Sequence, residues 1–219
     1  MKIGIFTAMQ KEATSFLQGA YTKTTDGAFE VYSFKLGSVD AVLCCPPSVG
    51  EIAAAAACQL LITKYGVDCI LNFGVVGALT SDVALTDYVL VGDVVHYDMD
   101  TSQIDDWPKA YYAYFDGIFI ACSEKLLGKA KAITNYPIVR CASADKFISD
   151  ATQKSQLNTE CGADICDMES AGILFTCKFN NVPCLMVKCI SDSLFGGKEE
   201  YKVTVLRATK GFFDLACKI

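Results

Sequence analysis

The sequence predicts an α/β fold built on a mixed, twisted sheet, and three observations point there. The first third is strand-rich, with apolar or alternating runs at 3–7, 29–36 and 39–45. After it, strand and helix patterns alternate to the C-terminus. The segment from Ile165 to Ser193 then fits a short apolar strand, a helix from about Met168 to Phe179 and a second apolar strand, Cys184 to Ile190, into fewer than thirty residues. Asn180, Asn181 and Pro183 end that helix, because Asn tolerates a left-handed cap and Pro cannot extend a helix. A strand, helix and strand this close together are expected to form a parallel unit. Ligands of such units bind where strands end and helices begin. Glu169 and Asp192 are therefore expected on one rim of the sheet, beside Lys188.

The elements follow in order. Ile3 to Thr7 is a continuous apolar strand that turns through Ala8 to Glu12 into a helix ending near Leu17. Phe29–Leu36 alternates and is joined by Gly37-Ser38 to Val39–Cys45, which reads as a hairpin with one face partly exposed. Pro46 to Gly50 is a loop that starts a helix from Glu51 to about Tyr65, capped by Gly66. The alanines from Ala53 to Ala57 allow this helix to lie close to the sheet. Cys69 to Phe73 is a buried strand followed by Gly74-Val75-Val76-Gly77-Ala78, where two glycines suggest close approach of backbone to a ligand, or simply a tight turn. Tyr88 to Val95 is a strand interrupted at Gly92-Asp93. Tyr97 to Phe115 is irregular, aromatic and acidic, as binding or partner surfaces often are. Ser123 caps a helix to Ile133, Ile138 to Ala142 is a strand, Ala151 to about Glu160 is a polar helix, and a last amphipathic helix runs from Glu199 to Cys217.

With 219 residues, one domain over 1–219 is expected, and an apolar content of 52% can fill its core. The formal net charge is −6 and no basic stripe is visible, which excludes a nucleic-acid partner. Arg140 and Arg207 are the only arginines, too few for a site of several guanidinium groups. The twelve cysteines contain no Cys-x-x-Cys, and the single histidine, His96, cannot complete a zinc site with them, so no metal is expected. Most lie in apolar runs, where Cys behaves as a small hydrophobe. No signal-peptide pattern and no bilayer-length apolar run is present, so a reduced, cytoplasmic, soluble protein without a membrane partner is expected.

Several residue types point to chemistry, each with a bland alternative. Asp192, after an apolar strand, either caps a turn or is a general acid whose charged form an apolar cleft disfavours. Glu169 is a dipole-favoured surface residue, or, given the small and apolar Ser170 to Leu174 that follow, a buried carboxylate whose two oxygens accept from vicinal hydroxyls. Lys188 is the odd residue in its strand: it is either a lysine at a sheet edge or, if that strand is central, needs a partner, Glu169 being the obvious candidate. Glu12, Met9 and Phe147 are individually unremarkable as helix charge and core residues.

Taken in order, these stretches resemble the 5′-methylthioadenosine/S-adenosylhomocysteine nucleosidases of the nucleoside phosphorylase superfamily. The matching residues are Met1 to Ile5 with Ala8, Met9 and Glu12; Val49-Gly50 with Ala53 to Ala55; Asn72-Phe73-Gly74 with Gly77; Val91 to Val95 with Asp98 and Asp100; Ser143, Asp145, Phe147 and Ile148; Met168-Glu169; and Ile190-Ser191-Asp192. The resemblance implies a three-layer α/β/α sandwich and hydrolysis of a 5′-substituted adenine nucleoside to adenine and a ribose derivative, with no metal or cofactor. It implies that Asp192 protonates adenine N7, that Glu12 activates the attacking water and that Glu169 holds the 2′- and 3′-hydroxyls. Phe147 would stack on the base and the main chain of Ile148 would read its edge. Met9, Val49, Met168 and Tyr201 would line the 5′ pocket, and Val76, Gly77, Lys188 and Ser191 complete the expected binding residues. A homodimer is implied, with the 100–115 loop closing the partner's site.

The chain departs from the family at Val75-Val76, which remove a hydroxyl near the ribose, at Lys188, where arginine is usual in bacterial relatives, and at Asp167, where glutamate is common. Alternatives are a purine nucleoside phosphorylase on the same fold, a nucleosidase for futalosine or AMP, and a non-catalytic nucleoside-binding homologue. Phosphate disagrees with the acids in the Thr7 to Glu12 and Pro46 to Glu51 loops, and AMP with a 5′ pocket that shows no cation.

Overall fold

The computed structural model describes residues 1–209 and 211–218. Ten strands form one sheet: β1 (Lys2–Phe6), β2 (Tyr21–Asp26), β3 (Phe29–Leu36), β4 (Val39–Cys45), β5 (Cys69–Ala78), β6 (Tyr88–His96), β7 (Ile120–Ala121), β8 (Ile138–Ser143), β9 (Ile165–Asp167) and β10 (Cys184–Asp192). The helices are α1 (Gln10–Ala13), continued by a 3₁₀ turn at Thr14–Phe16, then α2 (Glu51–Thr63), α3 (Glu124–Ile133), α4 (Ala151–Cys161), α5 (Ser170–Phe179), α6 (Lys198–Ala208) and α7 (Phe212–Ala216).

Period-two alternation on the central strands produces the layering. In β1 and β5, Phe6, Ile70 and Val76 face α2 and α5, while Ile3, Ile5, Leu71 and Phe73 face the opposite side with Phe16 and the α7 residues Phe212 and Leu215. Helices therefore cover both faces, giving the three layers expected. Every residue of β10 is buried, which is why that strand reads as an unbroken apolar run apart from Lys188.

The pairing order is β10-β6-β8-β9-β5-β1-β4-β3-β2, with β10 also paired to β5. The strands β5, β10, β6, β8 and β9 thus close on themselves, and the β1–β4–β3–β2 side extends as an open flap. This corrects the expected parallel unit at 165–193. β9 and β10 are not neighbours: β5 lies between them, parallel to β10 and antiparallel to β9. They still converge, because Gly77 of β5 pairs with Cys166 of β9 on one side and Asp192 of β10 on the other. Glu169 and Asp192 reach the same place through ring closure rather than a crossover.

Other boundaries shift for local reasons. β5 runs on through Gly74-Val75-Val76-Gly77, read from sequence as a loop, because β10 pairs with it along that length. β2 was not foreseen, since its polar face is solvent-exposed and carries no apolar period. The last helix is two, α6 and α7, separated around Gly211. Gly92-Asp93 is a register shift between β6 and β8, in keeping with the interruption read there. Ser123 caps α3 by accepting from Leu126 N. All twelve cysteines are unpaired. Among the described residues no helix is long and apolar enough to cross a membrane, and no cluster of metal-ligating side chains is present.

Two glycines on helices make opposite predictions. A Cβ on Gly172 of α5 would clash with the Glu51 carbonyl, so this glycine sets the close α2–α5 approach. A Cβ on Gly128 of α3 meets nothing within 4 Å. Gly172→Ala is expected to cost about 1–3 kcal/mol by overpacking, and Gly128→Ala to gain about 0.5–1 kcal/mol from helix propensity, both read by urea denaturation.

Candidate active site

One cavity of about 460 Å³ opens where β1, β5, β9 and β10 end, a size ordinary for a small-molecule site. Glu12, Glu169 and Asp192 all line it, although the sequence spreads them over 180 residues from position 12 to 192. Met9, Val49, Val76, Gly77, Phe147, Ile148, Met168, Lys188, Ser191 and Tyr201 are on its wall as well. Val49 and Phe147 are half exposed at the mouth, and Tyr201 packs edge-on to Phe147 at 5.8 Å while its hydroxyl lies 3.1 Å from Met9 Sδ.

Glu12 is 1% exposed. Its Oε2 accepts from Met9 N at 3.0 Å and its Oε1 from Val75 N at 3.1 Å. What the Val75-Val76 stretch contributes here is a backbone amide, which needs no hydroxyl side chain. Burial raises the Glu12 pKa to about 7, opposed by these amides and by the Lys188 charge. Of the two glycines of β5, Gly77 is the one that makes room for an acid. A Cβ on Gly74 would sit 3.5 Å from Glu12 Oε1 and 3.6 Å from Lys188 Nζ, and one on Gly77 would sit 3.0 Å from Asp192 Oδ2.

Glu169 occupies the N-cap position of α5 rather than its first turn. Its Oε1 accepts from Gly50 N at 2.9 Å, and Gly50 can present that amide because it adopts φ +111°. Burial, followed by the neighbouring Asp167 charge, raises the Glu169 pKa to about 8.

Lys188 does not pair with Glu169, and this overturns the expected contact. Its Nζ donates to Asp167 Oδ2 at 2.7 Å. Asp167 wins the ammonium because it is already the best-solvated anion available. It also accepts from Ser143 Oγ at 2.7 Å, Ser170 Oγ at 2.6 Å and Ser170 N at 3.2 Å. Burial works against its ionisation, but Lys188 and these donors outweigh it, and its pKa falls below the usual value. Against the same Asp167 charge and its own burial cost, the Lys188 pKa is raised.

Sequence reasoning missed Glu51, Lys154 and two cations at the wall. Glu51 hydrogen-bonds Ser143 Oγ and Gly172 N from the first turn of α2, and burial raises its pKa to about 7. The Ser143 hydroxyl has one proton and lies against both Glu51 and Asp167. A proton carried by Glu51 satisfies both contacts. Lys154 is fully buried and contacts Asp192, described further below. Its signal was a lysine three residues before Leu157, sharing the inward face of an otherwise polar helix. Lys146 and Lys198 also line the cavity, which corrects the expectation of a site without further cations.

Glu12, Glu51 and Glu169 hold protons in the folded chain that the unfolded chain releases above its ordinary value of 4.5. Folded protein thus binds more protons between about pH 4.5 and 8, and stability falls as pH rises through that window. Asp167, with its lowered pKa, works in the opposite sense only below 3.8. The urea midpoint is expected to decline from pH 5 to 8, and Glu51→Gln to flatten the decline. A midpoint that climbs over this range would mean the three are ionised in the folded chain.

Comparison with known proteins agrees with this geometry. A family model described as the Phosphorylase superfamily matches residues 2–218. The 5′-methylthioadenosine/S-adenosylhomocysteine nucleosidase of Shewanella piezotolerans is 30% identical over 206 residues, covering 88% of this chain and 86% of the relative. The aminodeoxyfutalosine nucleosidase of Campylobacter jejuni is 28% identical over 208 residues, covering 92% and 89%. The crystal structure of the Campylobacter jejuni 5′-methylthioadenosine/S-adenosylhomocysteine nucleosidase superposes with a TM-score of 0.91 at 26% identity, covering 100% of this chain and 97% of that one. With its matching model, its relatives and its cavity of converging acids, the chain belongs to the phosphorylase superfamily, among the 5′-methylthioadenosine/S-adenosylhomocysteine nucleosidases.

Proposed function

We propose that Asp192, Glu12 and Glu169 carry out the hydrolysis of a 5′-substituted adenine nucleoside in this cavity, giving adenine and a 5-substituted ribose. The chain is an N-ribosyl hydrolase, as its relatives are. The observation that supports the residue roles is the convergence of Glu12, Glu169 and Asp192 on the wall of one cavity.

Breaking the C1′–N9 bond leaves negative charge on the base and positive charge on the sugar. Asp192 donates a proton to N7, so the base leaves neutral. Glu12, ionised, takes a proton from the water that attacks C1′, and its charge stabilises the oxocarbenium-like sugar. Its pKa of about 7 suits a base working near neutrality. Glu169 accepts from the two ribose hydroxyls, and Phe147 and Ile148 hold the base. A phosphorolytic reaction is disfavoured because Glu12 occupies the nucleophile's side and Lys188 is committed to Asp167. Lys146 and Lys198 favour 5′-substituents that carry a carboxylate.

We further place the enzyme in the cytoplasm as a homodimer acting as one domain. Ten buried thiols suit a reducing compartment. Ile52, Ile104 and Tyr114 are 81%, 86% and 70% exposed, and a second copy would cover such apolar surface. Light-scattering mass should give the dimer, and Ile52→Asp should give monomer.

Adenine release from methylthioadenosine is the test. Asp192→Asn and Glu12→Gln are each expected to lose about 10²–10⁴-fold in kcat/KM. In the parent, kcat/KM should rise with pH through about 7 as Glu12 ionises, and added phosphate should change nothing. Unaltered rates in both variants would remove these acids from the mechanism, no adenine release from the parent would leave a nucleoside-binding protein, and a rate proportional to phosphate would make the chain a phosphorylase. A panel of methylthioadenosine, S-adenosylhomocysteine and aminodeoxyfutalosine ranks the 5′ groups.

A further inference from the structure

Helix α4 buries only Lys154 and Leu157. The Lys154 ammonium, 0% exposed, donates to Asp192 Oδ2 at 2.5 Å, to Ser193 O at 2.6 Å and to Gly196 O at 3.2 Å. Its three protons are thereby used. The other carboxyl oxygen, Asp192 Oδ1, lies 2.9 Å from Ser191 Oγ, which in turn lies 3.1 Å from Val76 O.

That arrangement treats the two oxygens differently. When Asp192 is ionised, the Ser191 hydroxyl donates to Oδ1. When Oδ1 carries a proton, it donates to Ser191 Oγ, and the hydroxyl turns to Val76 O. Ser191 accommodates both states. A proton on Oδ2 would face an ammonium that has only donors to offer. We propose that Lys154 is a positioning residue for the general acid: it confines the transferable proton of Asp192 to Oδ1 and stabilises the carboxylate left when that proton moves to the base.

In the step itself the Oδ1–H bond breaks as N7–H forms, the electron pair stays on the carboxylate, and the C1′–N9 pair leaves with adenine. The charge created on Asp192 lies against Lys154 in a water-poor site, where such an interaction is strong. The other groups facing this carboxyl are the Cys166 thiol from β9 and Tyr201 from α6; Glu200 from α6 binds Ser193 N at 2.7 Å, Lys198 is on the same wall, and Glu12 and Glu169 lie across the cavity. Among the described residues, Lys154 is the one cation in contact with Asp192.

The proposal rests on Asp192 being the acid, and the competing account is that Lys154 only fastens the 193–197 turn. Two substrates separate them: methylthioadenosine, whose base must be protonated to leave, and the 5-methylthioriboside of 4-nitrophenol, whose leaving group departs as a stable anion. The ratio of the two rates in one preparation does not depend on the fraction folded. Lys154→Met is expected to lose on the order of tenfold or more in kcat on methylthioadenosine, with KM little changed, and to keep the nitrophenyl rate within about threefold. Asp192→Asn should show the same selective loss. Loss on both substrates alike in Lys154→Met, including complete loss, assigns the lysine to the turn and overturns the proposal, as does no loss on either. If Asp192→Asn itself loses equally on both, the assignment of the acid fails instead.

Discussion

Five carboxyl groups and two ammonium groups share one water-poor region, and their imbalance governs the site. Lys188 takes Asp167 and Lys154 takes Asp192. Glu12, Glu51 and Glu169 have no ammonium in contact, and each has a raised pKa. An unpaired buried carboxylate costs several kcal/mol, so these three acids ionise only near pH 7 to 8. Glu12, with a pKa of about 7, is poised between its two forms near neutrality, as a general base there should be. Each pairing is decided by donors. Asp167 collects hydroxyls and amides as well as Lys188, while Glu169 has the Gly50 amide alone.

Backbone geometry makes that crowding possible. Gly77 sits between Cys166 and Asp192 because β5 bridges β9 and β10, and any side chain there would enter the space of the carboxylate. The register shift between Ile190 and Asp192 carries the acid to this point. At Gly74, by contrast, a Cβ would meet Glu12 and Lys188 only at ordinary contact distance. Gly50 and Gly172 bring α2 and α5 together so closely that Glu51, at the start of one helix, hydrogen-bonds the backbone of the other. Small residues at strand ends and helix starts therefore act on the chemistry by deciding which oxygens can meet.

Legibility in the sequence followed the range of the interaction. Strands with a continuous apolar run, such as β4 and β10, and helices with a capping residue, such as Ser123, could be read within a residue or two. β2 could not, because pairing with β3, and no apolar pattern of its own, makes it a strand. Glu169 and Asp192 were legible as acids near strand ends on one rim, whereas Glu12 stood out only through the family resemblance. Their partners were not legible. Lys188 choosing Asp167 over Glu169 depends on where Ser143 and Ser170 point, and Lys154 meets Asp192 only because α4 packs beneath the turn after β10. Such contacts span distances in sequence over which a local pattern carries no information.

The surplus of carboxyls also explains why water rather than phosphate suits this cavity. An incoming phosphate dianion would need cations that are not already spent, placed beside C1′. The buried lysines are held in ion pairs, neither arginine lines the wall, and Lys146 and Lys198 are displayed at the exposed side of the cavity. Beside Glu12 a dianion would meet like charge in a medium where that repulsion is large. A neutral water meets an acceptor there instead, and in the reaction proposed above the positive sugar that forms during bond breaking lies against the same carboxylate. On that proposal one electrostatic setting rejects the competing nucleophile and stabilises the reacting ribose.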